Sequence, residues 1–300
     1  MKRIYIILAT LIIWSNLIGQ QIDTKNTDSN YFGEYLGLEQ PDLIPKIFAP
    51  GLISGKGRMH SFLAFSPDMK MIFWGTIPPK IMMIQMINDK WTSPEIAPFS
   101  NTNNNQSPFV SNDNKIYFSS TRNGGLGNLD IWYTEFKDGN IIEPINIGKM
   151  INSDKLESHP TISKNKNMYF TGTIEGKLYN RGIYYSAFAN GEYIKPVLLP
   201  ELINVMDTNV LDYTPFIAPD ENYLLFCSNR QNPEIELCHI YVSYKNDNGE
   251  WTEPIDLSKK MGFTESSKFP YVTPDNRFLL FSSGENVYWI DSKILKLDNE

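Results

Sequence analysis

Short apolar segments alternate with polar turns along most of this chain, and the alternation recurs five times. In each repeat an apolar segment ends at an Asp or Asn in a predicted turn: Asp68, Asp113, Asn165, Asp220 and Asp275. These turn residues are spaced 45 to 55 residues apart, which is typical of a structural repeat. A second apolar segment follows every turn, so each repeat begins with a predicted β-hairpin.

Two further segments complete each repeat. The third apolar segment follows a loop of variable length, at 81–87, 130–136, 182–188, 239–244 and 286–291. In the first four repeats a fourth segment carries a proline: Pro94, Pro144, Pro196 and Pro254. Proline has no N–H to donate and therefore suits an outer strand. Four strands in a repeat of this length predict an all-β fold, a β-propeller of four-stranded antiparallel blades.

The fifth repeat ends without a proline-containing segment, and residues 42–50 supply a matching one. This segment, DLIPKIFAP, resembles WTSPEIAP at 91–98. We therefore expect five blades and a ring closed by an N-terminal strand that pairs with the C-terminal blade. Closure of this kind leaves only short exposed strand edges. A sixth, degenerate blade within residues 21–59 is the alternative, although that segment is short for four strands.

The turn sequences SPD, SND and APD, followed by IYFSS or LLFCS and by GNLDIWY, resemble the WD40-like repeat of the Pro-Asp type found in TolB-like propellers. The resemblance covers about residues 41–291. The first repeat departs from it, because Leu63 replaces the proline that stands at Pro108, Pro160, Pro215 and Pro270 in the others. The resemblance implies a propeller and, by analogy with periplasmic interaction modules, a partner-binding role.

The first residues predict export. Lys2 and Arg3 precede an apolar run, and Leu17-Ile18-Gly19 offers a cleavage site, so residues 1–19 are predicted to be a signal peptide. The run is too short to span a membrane, and no cysteine lies near the cleavage site to carry a lipid. We expect a periplasmic or secreted protein that does not span the membrane after cleavage, with a linker at 20–37 and one propeller domain at 38–300.

The net charge bears on the class of partner, and the cysteine content bears on a possible disulfide. The chain has a net charge of −7, and loss of Lys2 and Arg3 makes it more acidic, so no nucleic-acid partner is expected. The two cysteines, Cys227 and Cys238, form a disulfide or remain buried thiols, and the sequence leaves both possibilities open.

The repeat also predicts a polar ring at the mouth of the central channel. Eight residues before each turn residue stands a polar side chain: His60, Asn105, Glu157, Asp212 and Ser267. Two carboxylates and a histidine suit cation binding or acid–base chemistry. Short polar side chains also commonly cap loops where strands begin. His159 points to the same side by strand alternation and is a further candidate.

Three arginines stand in the loops between the second and third strands: Arg122, Arg181 and Arg230. At the channel mouth their guanidinium groups are suited to bind an anionic group bidentately. Solvated loop charge is the alternative interpretation.

These features predict a non-enzymatic binding or scaffold propeller that engages an envelope or extracellular partner protein or peptide at the channel mouth. The sequence contains no catalytic, metal-binding or cofactor motif of a known type. The alternative is a hydrolase or lyase acting on saccharide or peptide, with Glu157, His159 and Asp212 as an acid–base or metal centre. A saccharide-binding module is a third possibility, for which exposed aromatic side chains would be needed.

Overall fold

The protein is described by a computed structural model for residues 31–56, 59–137, 140–176, 181–231, 233 and 237–296, without the side chains of residues 59, 60 and 137. It contains five four-stranded antiparallel blades arranged as a propeller, with almost no helix. The predicted fold and the count of five blades are confirmed. The predicted signal peptide lies outside the described residues, among which no helix is long and apolar enough to span a membrane.

The first three blades each have a fourth strand in two pieces. Blade 1 comprises Met59–Phe65, Met71–Thr76, Ile81–Ile87, Lys90–Trp91 and Glu95–Ile96. Blade 2 comprises Asn105–Val110, Lys115–Ser120, Asp130–Lys137, Asn140–Ile141 and Ile145–Asn146. Blade 3 comprises Glu157–Ile162, Met168–Thr173, Arg181–Ser186, Phe188–Ala189, Glu192–Tyr193 and Val197–Leu198.

The last two blades and four short helices complete the described part of the fold. Blade 4 comprises Asp212–Ile217, Tyr223–Ser228, His239–Tyr244 and Ile255–Asp256. Blade 5 comprises Lys268–Val272, Phe278–Ser283, Asn286–Asp291 and the N-terminal strand Lys46–Ile47. Helical turns lie at Glu34–Gly37, Pro98–Ser100, Leu257–Lys260 and Ser292–Leu295.

The predicted ring closure is confirmed by the pairing of the two chain ends. Lys46 pairs with Trp289 and Ile47 with Tyr288, antiparallel, so the N-terminal segment is the outer strand of blade 5. The contact continues beyond the strand, because the Phe48 amide donates to the Val287 carbonyl at 2.8 Å. The ring therefore closes through backbone hydrogen bonds between opposite ends of the chain.

Residues 31–37, which the sequence places in a linker, lie against blades 1 and 5. Tyr35 is buried, and its ring contacts Phe65 of blade 1 and Trp289 of blade 5. Its hydroxyl donates to the Asp275 carboxylate in the hairpin turn of blade 5, at 2.7 Å. One aromatic side chain thus joins the first blade to the last.

Each innermost strand contains a bulge, and in blades 2 to 5 the bulge residue directly precedes the proline of the repeat. The bulge residues have φ angles between 52° and 58°: Ser107, His159, Thr214 and Phe269. Such angles are costly for residues with side chains, and residues before proline are normally extended. Hydrogen bonds between blades hold the strained backbone. The His159 amide donates to Ser119 Oγ of blade 2 at 3.2 Å, and the Thr214 amide to Thr171 Oγ1 of blade 3 at 2.9 Å.

A second contact between blades lies further along the innermost strands. In blade 3, Thr161 Oγ1 accepts a hydrogen bond from the Ile217 amide of blade 4 at 3.3 Å. Tyr271 occupies the same repeat position in blade 5, and its buried hydroxyl lies 3.0 Å from the nitrogen and 3.3 Å from the oxygen of Phe65 in blade 1. Tyr271 therefore both accepts from and donates to the backbone across the junction that closes the ring.

Both cysteines are buried free thiols, which answers the question that the sequence left open. Cys227 occupies the repeat position of Ser119 and Thr171, and it accepts a hydrogen bond from Thr214 Oγ1 at 2.8 Å. Burial raises the pKa of the Cys227 thiol to about 12. The thiol thus remains protonated at neutral pH and takes the place of a core hydroxyl.

Blades 3 and 4 are also joined at the hairpin-turn face by the buried carboxylate of Glu221. It accepts hydrogen bonds from Ser163 Oγ at 2.8 Å, Asn167 Nδ2 at 2.7 Å and Tyr169 Oη at 3.0 Å. Burial acts to raise the pKa of Glu221, but these three hydrogen bonds and the charge of Lys245, 3.4 Å away, outweigh it and hold the pKa below the usual 4.5. The carboxylate is therefore stabilised in its charged form.

We predict that Tyr271→Phe lowers the free energy of unfolding by about 1–3 kcal/mol, because the Phe65 amide and carbonyl lose a buried partner. Denaturant-induced unfolding followed by tryptophan fluorescence measures the change. Tyr288→Phe is the matched control, since the half-buried Tyr288 lies in the same blade. Equal stability of the two variants would contradict a role for Tyr271 in closing the ring.

We predict that Glu221→Gln destabilises the protein by about 1–3 kcal/mol at neutral pH. The folded-state pKa of Glu221 is depressed, so its charged form contributes stability above the unfolded value of 4.5, and this contribution is lost as pH falls through the folded pKa. The difference between wild type and variant should therefore shrink below about pH 4.5. Unfolding midpoints measured from neutral to acidic pH test this, with the exposed Glu253→Gln as control. A difference that stays constant with pH would contradict the prediction.

Candidate functional site at the channel mouth

Two sets of loops meet at one face of the propeller, which we call the mouth face. Asn105, the first residue of an innermost strand, pairs with Ser120, the last residue of the second strand. The loop into the innermost strand and the loop between the second and third strands therefore lie together, as predicted. The hairpin turns after the innermost strands lie at the opposite face.

The central channel is closed directly below this mouth by aromatic side chains from blades 1, 3 and 5. Phe62 of blade 1, His159 of blade 3 and Phe269 of blade 5 lie with their ring centroids 5.7 to 5.9 Å apart, and all three are buried. Blades 1 and 3 are not neighbours in the ring, so their side chains meet only on the axis. The bulge positions of the innermost strands thus supply an aromatic plug, which we define as Phe62, His159 and Phe269.

The predicted ring residue Asn105 and the predicted loop arginine Arg122 are brought together in blade 2. Arg122 donates to Asn105 Oδ1 at 2.8 Å, to Ser120 Oγ at 2.9 Å and to the Phe99 carbonyl at 2.8 Å. Its guanidinium also lies 5.3 Å from the centre of the Trp132 ring. Arg122 therefore fastens the loop into blade 2 to the loop that follows its second strand.

Blade 4 repeats this arrangement with an ion pair. Arg230 donates to Asp212 Oδ1 at 2.9 Å, to Ser228 Oγ at 3.0 Å and to the Ile203 carbonyl at 2.7 Å. The other Asp212 oxygen accepts from the Val205 amide at 2.8 Å, and Asp212 is fully buried. Removal of one partner would leave a buried charge without compensation, so this pair has a structural task.

Glu157 and Ser267 likewise bond to residues of their own loops. Glu157 accepts from the Ser153 amide at 3.0 Å and from Ser153 Oγ at 2.6 Å, while Ser267 Oγ lies 2.6 Å from Ser258 Oγ. Burial raises the pKa of Glu157, and the two bonds from Ser153 act against it. The side chain of His60 is outside the described part. A binding role for the ring stays a prediction, and its described members also hold the mouth loops in place.

Third strands begin with a further set of polar contacts. Asp130 accepts from the Leu126 amide at 2.7 Å, the Gly127 amide at 2.9 Å and Asn146 Nδ2 at 2.9 Å, so it orders the glycine-rich loop of blade 2. In blade 4, His239 Nδ1 lies 2.7 Å from Asp256 Oδ2. Within the described residues no group of three or more His, Cys, Asp or Glu side chains is arranged to hold a metal ion.

Four large apolar side chains on the loops of the mouth face are exposed to solvent, and the sequence analysis did not identify them. Each is about half exposed: Ile77 45%, Leu126 52%, Met150 48% and Met206 45%. The loops of Leu126 and Met150 are joined, because Asn146 binds Asp130 and also accepts from the Gly148 amide at 2.8 Å. The sequence does show each of these residues as a single apolar residue in a polar loop. That pattern does not reveal whether the side chain is exposed.

A cleft of about 460 Å³ lies at the opposite side of the molecule, at the seam where the ring closes. Its lining includes Gln40, Arg277, Asp291 and Lys293. Arg277 donates to Gln40 Oε1 at 2.7 Å, and the Asp291 amide donates to the Asp42 carbonyl at 3.1 Å. These polar groups thus hold the N-terminal segment against blade 5.

No protein-family model and no curated protein matches this sequence. Solved structures with a similar fold include a protein assigned as TolB from Agrobacterium tumefaciens, with 16% identity, coverage of 75% of this chain and 70% of that chain, and a TM-score of 0.50. A thermostable family-43 glycoside hydrolase has 15% identity, coverage of 80% and 90%, and a TM-score of 0.52. An alpha-L-arabinofuranosidase from Lactobacillus brevis has 10% identity, coverage of 80% and 91%, and a TM-score of 0.50.

At these identities the similarities show the fold alone. The predicted TolB-like propeller is confirmed at that level, while membership of the WD40-like repeat family stays a prediction, since no family model matches. Glycoside hydrolases share the fold as well, so the fold does not select between binding and catalysis. What the comparisons establish is that this chain is a five-bladed propeller with a TolB-like structural neighbour.

Proposed function

We propose that this chain is an exported, non-enzymatic binding propeller whose mouth face engages a partner protein or peptide. The observation that carries the proposal is the set of half-exposed apolar side chains on the loops around a closed channel. Apolar side chains held out by ordered loops are the usual anchors of a protein interface. The predicted signal peptide motivates the location in the periplasm or outside the cell.

The plug supports engagement at the surface rather than passage through the ring. Phe62, His159 and Phe269 fill the axis below the mouth, so a ligand that enters from this face meets a floor. A shallow, blind mouth with an apolar rim suits a loop or chain end of another protein.

The burial and hydrogen bonding of the Glu157 and Asp212 carboxylates favour a binding function over the hydrolase or lyase alternative. That alternative requires Glu157 and Asp212 to reach a substrate. Both side chains are buried, and both oxygens of each already accept hydrogen bonds from protein groups. General acid–base groups must instead lie within hydrogen-bonding reach of the reacting atoms.

We predict that Leu126→Asp combined with Met150→Asp weakens capture of the protein partner by at least about tenfold, because the apolar anchors become charged. The partner is first identified by cross-linking to the wild type in an envelope extract. Binding of the purified partner to each variant is then measured directly.

Ile96→Asp combined with Val197→Asp is the matched control. These residues are similarly exposed, at 42% and 55%, but they lie on outer strands of blades 1 and 3. The control adds the same two charges and should retain binding. Loss of binding in the control, or full binding by the Leu126 and Met150 variant, would argue against the mouth face as the interface.

A further inference from the structure

We infer that the channel mouth holds a carboxylate of the bound polypeptide between Arg181 of blade 3 and Lys268 of blade 5, the blades that flank Tyr213 of blade 4. The inference rests on the proposed function, because it names the chemical group that the partner presents. It assigns binding to two cations outside the ring of residues predicted from the repeat.

Lys268 is the first residue of the innermost strand of blade 5 and directly precedes Phe269 of the plug. Its side chain is half-buried, and it forms no hydrogen bond or ion pair with any residue that the structure describes. Tyr213 holds the same repeat position in blade 4, where its ring centroid is 6.3 Å from that of His159. This position therefore lies beside the channel axis.

Arg181 begins the third strand of blade 3, and its half-buried side chain forms no hydrogen bond or ion pair with a described residue. Its place follows from its repeat equivalents. Cys238 in blade 4 has its sulphur 3.6 Å from Tyr213 Oη, and the Leu129 carbonyl in blade 2 accepts from the Glu157 amide at 2.8 Å. Both equivalents touch the beginning of an innermost strand, so Arg181 also lies at the channel mouth.

The two cations act on one pair of neighbouring side chains. Burial raises the pKa of Tyr213, and the charge of Arg181 acts in the opposite direction. Burial likewise raises the pKa of Cys227, and the charge of Lys268 acts to lower it. Since Tyr213 and Cys227 pair across adjacent strands, the positive potential of both cations converges on this part of the mouth.

An anionic group fits these cations, and a carboxylate is the anionic group that an unmodified polypeptide presents. Other arginines of the described part are occupied: Arg122 binds Asn105, Arg230 binds Asp212 and Arg277 binds Gln40. An acidic chain would repel an anionic ligand except where local cations outweigh its net charge of −7. A guanidinium binds a carboxylate bidentately, and partial burial strengthens that attraction.

The test uses three fluorescein-labelled probes: a glutamate-rich peptide with an amidated C-terminus, pentaglycine with a free carboxylate, and pentaglycine amide. We expect at least one carboxylate probe to bind the wild type more tightly than pentaglycine amide, with affinity falling as salt rises. Arg181→Gln combined with Lys268→Gln should weaken that binding at least about tenfold. Arg181→Lys alone, which keeps the charge, should retain more affinity than Arg181→Gln.

The control variant, Lys70→Gln combined with Lys195→Gln, removes two exposed cations away from the mouth and should bind as the wild type does. Thermal unfolding verifies that every variant is folded. Equal affinity for the three probes, or equal loss in the control, would overturn the carboxylate site. In that case partner capture that still depends on Leu126 and Met150 would leave the proposed function standing, so the two failures are distinguishable.

Discussion

Blades 2 and 3, and blades 3 and 4, are held together by hydrogen bonds from bulge amides of the innermost strands to hydroxyl groups in the preceding blade. A positive φ at a residue before proline is unfavourable by itself, and the Thr214 amide keeps that geometry because Thr171 Oγ1 lies 2.9 Å away. The same bond joins His159 to Ser119. At these two junctions the strained residue is therefore also the residue that binds the preceding blade.

This arrangement decides what the channel can do. The bulge brings the His159 side chain to the axis, where it stacks on Phe269 at an interplanar angle of 22°. Three buried aromatic side chains therefore meet on the channel axis, and the burial of their surface stabilises the propeller. Chemistry that needs solvent access is consequently confined to the loops above the plug.

The sequence predicted the strands, the blade number and the ring closure because each depends on short-range pattern. Alternation, turn residues and the proline of outer strands recur in every blade. A strand that is ambiguous in one repeat can therefore be assigned from the equivalent strands of the others. The burial of the Asn105 and Asp212 side chains could not be predicted in the same way. Their polar character suggested access to ligand, whereas their burial follows from Arg122 and Arg230, which reach them across a loop of unpredictable shape. Exposure of Leu126 and Met150 depends on the same loops.

A repeat protein offers a further way to separate scaffold from function within a single sequence. Ser119, Thr171 and Cys227 recur in one position and are explained by contacts between blades: the two hydroxyls accept from bulge amides of the next blade, and the thiol donates to the Ser267 carbonyl at 3.9 Å. Departures from the repeat require another explanation. Arg181 stands where blades 2 and 4 carry Leu129 and Cys238, and its charge is not matched by any ion pair with a described residue. A half-buried cation that forms no ion pair with any described residue is most simply retained for a contact with a ligand.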